Sequence, residues 1–145
     1  MAIRTHQSIS GFVASDPQLS YTDRGDARLY MKVGIEHYRK EPDNSFTQVE
    51  TTFHDLIAYR GAAEQGAERL AKGDNIIADG RVRDYSYERN GQRYEGEEFI
   101  ATRIGHDLAR TRYEVDRSER TSGRDAAAFT GPQQAAPSTA AAIGM

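Results

Sequence analysis

The chain is 145 residues long, with 19 Lys and Arg against 22 Asp and Glu, a formal charge of −3 and a mean hydropathy of −0.76. At 37% apolar content it can bury one core with little left for a second, and no apolar run approaches the length a membrane helix requires. The lack of cysteine removes disulfide scaffolds, thiol catalysis and thiolate metal sites, while His6, His37, His54 and His106 are too scattered for a local metal motif, so no metal or cofactor is expected.

In chain order, the first strand is expected over about Thr5 to Val13, ending before Ser15-Asp16-Pro17. Met1 to His6 carries no apolar leader, which points to a cytoplasmic protein. Thr22-Asp23-Arg24-Gly25-Asp26 supplies a turn into the clearest strand, where Ala27, Leu29, Met31, Val33 and Ile35 alternate with Arg28, Tyr30 and Lys32. Arg39 to Ser45 is polar and holds Pro42, as a projecting loop would. A third strand follows from Val49 to Tyr59. Ala62 to Lys72 is rich in helix formers and is stopped by Gly73, and Asn75 to Glu88 and Gln92 to Ile104 form a hairpin around a type I′ Asn90-Gly91 turn.

The order β-β-β-α-β-β, five short strands with one helix, is all-β in class and matches the OB-fold, a partly open Greek-key barrel that commonly binds oligonucleotides. The folded domain spans 1–110. From 111 to 145 the chain is Ala, Ser, Gly and Pro-rich with few bulky apolar side chains, and is expected to be a disordered tail. Its charges cancel, with Arg112, Arg117, Arg120 and Arg124 against Glu114, Asp116, Glu119 and Asp125.

Chemistry concentrates in the last hairpin, where Arg81, Arg83, Tyr85 and Tyr87 share parity and so line one face of a strand. Phe53, Ile57 and Tyr59 repeat the design on the third strand. Single-stranded nucleic acid needs this mixture, because cations follow phosphates while bases stack on rings, at about 1–3 kcal/mol per base. Tyrosine is also an ordinary strand residue, so the pattern alone leaves the two readings even.

The stretch Gly11-Phe12-Val13-Ala14-Ser15-Asp16-Pro17-Gln18-Leu19-Ser20-Tyr21-Thr22-Asp23-Arg24-Gly25 resembles the opening signature of bacterial single-stranded DNA-binding proteins. Thr52 to Tyr59, Leu70-Ala71-Lys72-Gly73-Asp74 and Gly80 to Tyr87 follow in that family's order, and together they span about residues 8–108. The resemblance implies a non-enzymatic, sequence-tolerant binder of single-stranded DNA in replication, recombination or repair, assembled as a homotetramer. It carries the family's stacking aromatics to Phe53, Tyr59 and Tyr87, with a fourth at Tyr38. Arg81 and Arg83 become phosphate contacts, with Tyr85 beside them, and Arg39 and Lys40 are looser candidates whose charge Glu41 and Asp43 also balance. His54 resembles a position near the subunit interface, although a histidine satisfied within its own sheet fits equally.

Three departures stand out. There is no tryptophan, so each stacking platform is smaller; Ser20 stands where the family often has Arg; and the chain ends Ala140-Ala141-Ala142-Ile143-Gly144-Met145 where the family usually has an acidic tip that recruits replication and repair proteins. Two other classes compete with the leading one. The first is a nuclease on the same barrel, whose best material is Asp79, Arg81 and Glu98, and the second is an RNA-binding interaction module, since stacking is indifferent to the 2′-OH.

Overall fold

Alternation decides the architecture. The computed structural model describes residues 1–118, and in strand β3 (Ala27–Lys40) Ala27, Leu29, Met31 and Val33 are buried while Arg28, Tyr30 and Lys32 stand half-exposed on the opposite side. The same period sends Leu56 and Ala58 of β4 (Phe46–Tyr59), Ile76 and Ala78 of β5 (Asn75–Arg89) and Phe99 and Ala101 of β6 (Gln92–His106) into one interior. Val13 at the end of β1 (Gln7–Val13) completes it. Each fully buried Leu, Met, Ile or Val contributes about 1.5–3 kcal/mol over leaving it in water, and this interior supplies the driving force for the fold.

The strands close on themselves. β1 pairs antiparallel with β5, β5 with β6 and β3 with β4, β4 runs parallel to β6, and the contacts Phe12 with Gly34 and Val13 with Val33 join β1 to β3. The five-stranded OB-fold barrel expected from the sequence is therefore present, but as a closed ring rather than a partly open one. Over Gln7 to Gly11, β1 is paired only to β5, and the opposite edge of this stretch carries no strand among the described residues. Gly11 and Gly80 sit where strands crowd, since a Cβ on Gly80 would stand 1.9 Å from the Ile100 carbonyl oxygen and one on Gly11 2.1 Å from that of Gly34.

Several boundaries differ from the sequence expectation, each for a local reason. A short strand β2 (Gln18–Tyr21) was not foreseen; it pairs with β3 from Gln18–Tyr30 to Tyr21–Ala27, and all four of its residues are exposed, so it leaves no burial pattern to read. The second and third expected strands run on past Ile35 and start before Val49, and the loop between them shrinks to Glu41–Ser45, closed by a hydrogen bond from Glu41 N to Ser45 O at 2.8 Å with Asn44 at φ 70°. Helix α1 spans Arg60–Arg69 instead of Ala62–Lys72. It stops early because Leu70 turns inward to join the core, after which Ala71 to Asp74 form a turn in which Gly73 takes φ 99° and donates to Val13 O at 2.7 Å. The Asn90-Gly91 turn has φ 55° and 78°, the type I′ geometry expected.

The chain divides into two units, Met1–Arg112 and Tyr113–Met145. In the second, Asp116 accepts hydrogen bonds from the Ser118 amide at 2.9 Å and hydroxyl at 2.6 Å. Residues 119–145, with most of the expected disordered tail and its non-acidic end, lie outside the described residues.

Gly80→Ala should lower stability by about 1–3 kcal/mol, because the added methyl meets backbone that cannot move without breaking the β5–β6 ladder. The shift of the urea midpoint measures this, and a midpoint equal to wild type would show that the barrel relaxes freely there.

Candidate nucleic-acid interface

The outward face of the barrel is built by register. Across β3, β4, β6 and β5, one row is Tyr30, Ile57, Ile100 and Arg81, and the next is Lys32, Asp55, Glu98 and Arg83. Ile57 and Ile100 are 1% and 8% exposed yet lie outside the interior core, so they form a small apolar patch beneath the longer side chains of their row. Because β4 and β6 are parallel and both hairpins use their N-terminal halves, the β3–β4 arm and the β5–β6 arm leave the barrel from the same end. Both arms carry aromatic rings.

On the β5–β6 arm Tyr85, Tyr87 and Tyr94 form a ladder. The ring centroids of Tyr85 and Tyr87 are 6.4 Å apart with planes 15° apart, and those of Tyr87 and Tyr94 are 5.2 Å apart at 22°. Tyr85 lies over Gly96, its cross-strand partner, where a Cβ would fall 2.6 Å from the phenol oxygen. On the other arm Phe53 is 55% exposed and receives the edge of Phe12 at 6.4 Å and 89°, while the Phe12 ring fills the space above Gly34. Farther out, Tyr38 and Lys40 face Gln48 and Phe46 across the ladder, past an irregularity between His37 and Tyr38 that leaves Val49 unpaired. The Tyr38 hydroxyl donates to Glu36 at 3.1 Å, and that carboxylate raises the phenol above its usual range.

The central row is charged and internally paired. Lys32 Nζ and the Tyr30 hydroxyl both donate to Asp55 Oδ1 at 2.8 Å. Burial pushes the Asp55 carboxyl up, but these two donors outweigh it and hold the group below the ordinary carboxylate range, while Asp55 raises the Lys32 ammonium. Arg83 donates from Nε to Glu98 Oε2 at 2.8 Å, and its Nη2 reaches the same oxygen. The Arg83 guanidinium beside its hydroxyl, against burial and with help from Arg28, holds the Tyr59 phenol below its usual value.

These contacts sort the sequence-derived candidates. Phe53, Tyr85, Tyr87 and Tyr38 are exposed rings on the two arms. Arg81 is exposed and among the described residues has no acidic partner, whereas Arg83 is already engaged by Glu98 and Tyr59. Tyr59 is half-buried and serves as a hydrogen-bonded strut more than as an open platform. Arg39 pairs with Glu41 at 3.2 Å, the local charge balance weighed above. His54 bonds to Thr52 at 2.7 Å, and Thr52 also meets His37 at 2.8 Å, so His54 is satisfied within its own sheet. For the nuclease reading, Asp79 is held by Arg103 at 3.2 Å and Glu98 by Arg83, and Asp79 lies four positions along β5 from Arg83, the strand partner of Glu98, so the two carboxylates belong to different ion pairs.

Sequence reasoning missed Tyr94, although the two-residue turn at Asn90-Gly91 places it opposite Tyr87. It also passed over Phe12, Tyr30, Lys32, Asp55 and Phe46, of which Tyr30 and Lys32 stood on the polar side of the clearest strand.

A closed OB-fold barrel with rings and cations spread over one continuous outer face defines an oligonucleotide-binding module. More specifically, the chain belongs to the single-strand binding protein family, whose model matches residues 5–107, a family of binding proteins and not of enzymes. It is 30% identical over 128 residues to a single-stranded DNA-binding protein of Paenarthrobacter aurescens, covering 87% of this chain and 75% of that one. With its counterpart from Corynebacterium glutamicum it shares 30% identity over 118 residues, 80% of this chain and only about half, 52%, of the other. The crystal structure of a small single-stranded DNA-binding protein from Streptomyces coelicolor superposes with a TM-score of 0.63 at 26% identity, covering 74% of this chain and 97% of that one. A Plasmodium falciparum SSB in complex with ssDNA shares the fold, with a TM-score of 0.60 at 16% identity over 73% of this chain and 98% of that one.

The Asp55 contacts fix a pH dependence. Its folded carboxyl is depressed, so its contribution to stability is complete above the unfolded value of about 3.9 and is lost as pH falls through the lower folded value. Asp55→Asn should therefore flatten the decline of stability between about pH 5 and pH 3, read from urea midpoints at each pH. An acid limb of unchanged steepness would mean that Lys32 and Tyr30 do not hold the ionised form.

Proposed function

We propose that the protein binds single-stranded DNA without chemistry and without a fixed sequence, protecting it during replication, recombination or repair. The observation that carries this is the continuous outer face of the barrel, on which Phe53, Tyr38 and the Tyr85–Tyr87–Tyr94 ladder alternate with cations in a chain of the single-strand binding protein family. Bases stack on the rings of the two arms. Phosphates follow Arg81 and Lys40, which have no carboxylate partner among the described residues, while Arg83 and Lys32 are neutralised in place. Tyr59 acts at second hand, by fixing Arg83.

The assembly proposed is a homotetramer. The edge of β1 over Gln7 to Gly11 presents backbone groups that another copy of the chain can pair or cover. Several barrels also let one DNA strand visit several modest sites, so avidity compensates for tyrosine in place of tryptophan. Replication or repair proteins are further partners in this reading, which places the protein in the cytoplasm with the nucleoid; no described helix is long and apolar enough to cross a membrane.

Tyr87→Ala and Phe53→Ala should each weaken oligo-dT binding by about 1–3 kcal/mol while the barrel stays folded, since both rings stand on exposed arms. Arg81→Ala should lower the slope of log affinity against log salt by roughly 0.7, and Arg83→Ala by less, because Glu98 already neutralises it. Fluorescence titration at several salt concentrations reads both, and full affinity in the two aromatic variants would overturn the stacking assignment. Sedimentation at micromolar concentration should give a tetramer, and a monomer would remove the avidity argument.

A further inference from the structure

Beyond the barrel the β5–β6 arm is a two-stranded ribbon, open to solvent on both sides, and its two faces carry opposite charge. From Gly80 to Arg89 the ladder runs without irregularity, so residues in register share a face and successive pairs alternate between faces. On the face of the Tyr85–Tyr87–Tyr94 ladder the charged residues are Arg81, Arg83 and Arg89 against Glu98, an excess of cations. On the rear the pairs are Asp84 with Glu97, Ser86 with Glu95 and Glu88 with Arg93, four carboxylates against one guanidinium.

The rear charge is uncompensated. Arg93 is taken by Glu95 at 3.0 Å, and Asp84, Glu88 and Glu97 have no cationic partner among the described residues. Asp84 and Glu97 stand directly opposite each other, an arrangement of like charges that costs the ribbon stability. Shape does not close this side: Asp84, Ser86, Arg93, Glu95 and Glu97 line most of a shallow groove of about 520 Å³, within the range that elsewhere takes a small ligand.

A flexible polyanion settled on the rings of one face has room to continue around a ribbon this narrow. Phosphate brought to the rear meets Asp84 and Glu97 well within the Debye length, about 8 Å at physiological ionic strength, and the one guanidinium there is already paired. From Asp84 to Arg89 and from Gln92 to Glu97 the rear carries no ring, so stacking does not offset the repulsion. Resting on the reading of the ring-bearing face as a single-stranded DNA interface, we infer that Asp84 and Glu97 are positioning residues that keep the DNA backbone off the rear of the β5–β6 arm, so that the strand crosses the arm on its ring side and does not wrap it. Their action is repulsive and sets where the strand runs, as unpaired charge set against an alternative arrangement does.

The chain contains no cysteine, so Ser86→Cys places a single thiol at the centre of the rear face. The rate at which an uncharged alkylating reagent modifies this thiol is measured with and without oligo-dT at neutral pH, saturation being verified by titration. Each variant is compared only with itself, since neighbouring charge alters the reactivity of a thiol. With Asp84 and Glu97 in place, DNA should leave the rate unchanged. When Asp84→Asn and Glu97→Gln are added, DNA should slow it severalfold, because the repulsion is gone and the introduced amides can donate to phosphate oxygens. Glu64→Gln with Glu68→Gln removes the same net charge from exposed positions on helix α1, outside the arm, and should leave the thiol as reactive with DNA as without it. Protection of the thiol while both carboxylates are present, no protection once they are replaced, or equal protection after the helix substitutions overturns the positioning role and leaves single-stranded DNA binding intact. Oligo-dT that binds none of these proteins overturns the reading of the face itself, and this inference with it.

Discussion

The parallel pairing of β4 with β6, from Asp55–Glu98 to Ala58–Ala101, is the contact on which the rest of the structure depends. It joins two antiparallel hairpins into one ring, and because the strands are parallel their N-terminal halves extend beyond the same end of the barrel. A purely antiparallel junction would send the arms to opposite ends and divide the aromatic rings between two surfaces. The four-residue pairing also sets Ile57 against Ile100 on the outside, beside the charged pair Asp55 and Glu98, while Leu56, Ala58, Phe99 and Ala101 fill the inside.

Much of this was legible in the sequence, and the part that was not has identifiable causes. Long-range alternation in Ala27 to Ile35 marked the core face, and Asn90-Gly91 marked a hairpin whose φ angles came out as type I′. The parity of Arg81, Arg83, Tyr85 and Tyr87 held because the β5–β6 irregularity falls between Asp79 and Gly80, just before it would have scrambled that set. What escaped was information carried by a second strand. Tyr94 acquires meaning only through its register with Tyr87, and Asp55 only through Lys32 on one side and Glu98 on the other. β2 escaped because an exposed four-residue edge strand imposes no burial pattern, and the early end of α1 because Leu70 answers to the core and not to helix propensity.

Formal charge misleads about such a face for the same reason. Counting residues gives Lys32, Arg81 and Arg83 as three cations near the rings, but two of them are bound to Asp55 and Glu98. Exposed ion pairs contribute little to stability, and these are better placed than most: Asp55 and Glu98 are largely shielded and each accepts two hydrogen bonds. A phosphate approaching the row must compete with a carboxylate for each cation, which lowers the electrostatic share of binding and raises the share left to stacking.

The geometry of the rings fits that division. Phe12 over Gly34 and Tyr85 over Gly96 are aromatic rings seated on glycines, and each is locked by the absence of a cross-strand side chain and by a neighbouring ring. A tyrosine alone on a strand would have to give up rotamer freedom when a base settles on it, at a cost of order 0.5–1.5 kcal/mol per immobilised side chain. In the ladder of Tyr85, Tyr87 and Tyr94 that freedom is already spent on folding, because each ring is stacked on the next. A chain without tryptophan offers less area per ring; holding its smaller rings in place beforehand recovers part of the difference, since what binding gains from a platform is the stacking energy less the cost of fixing it.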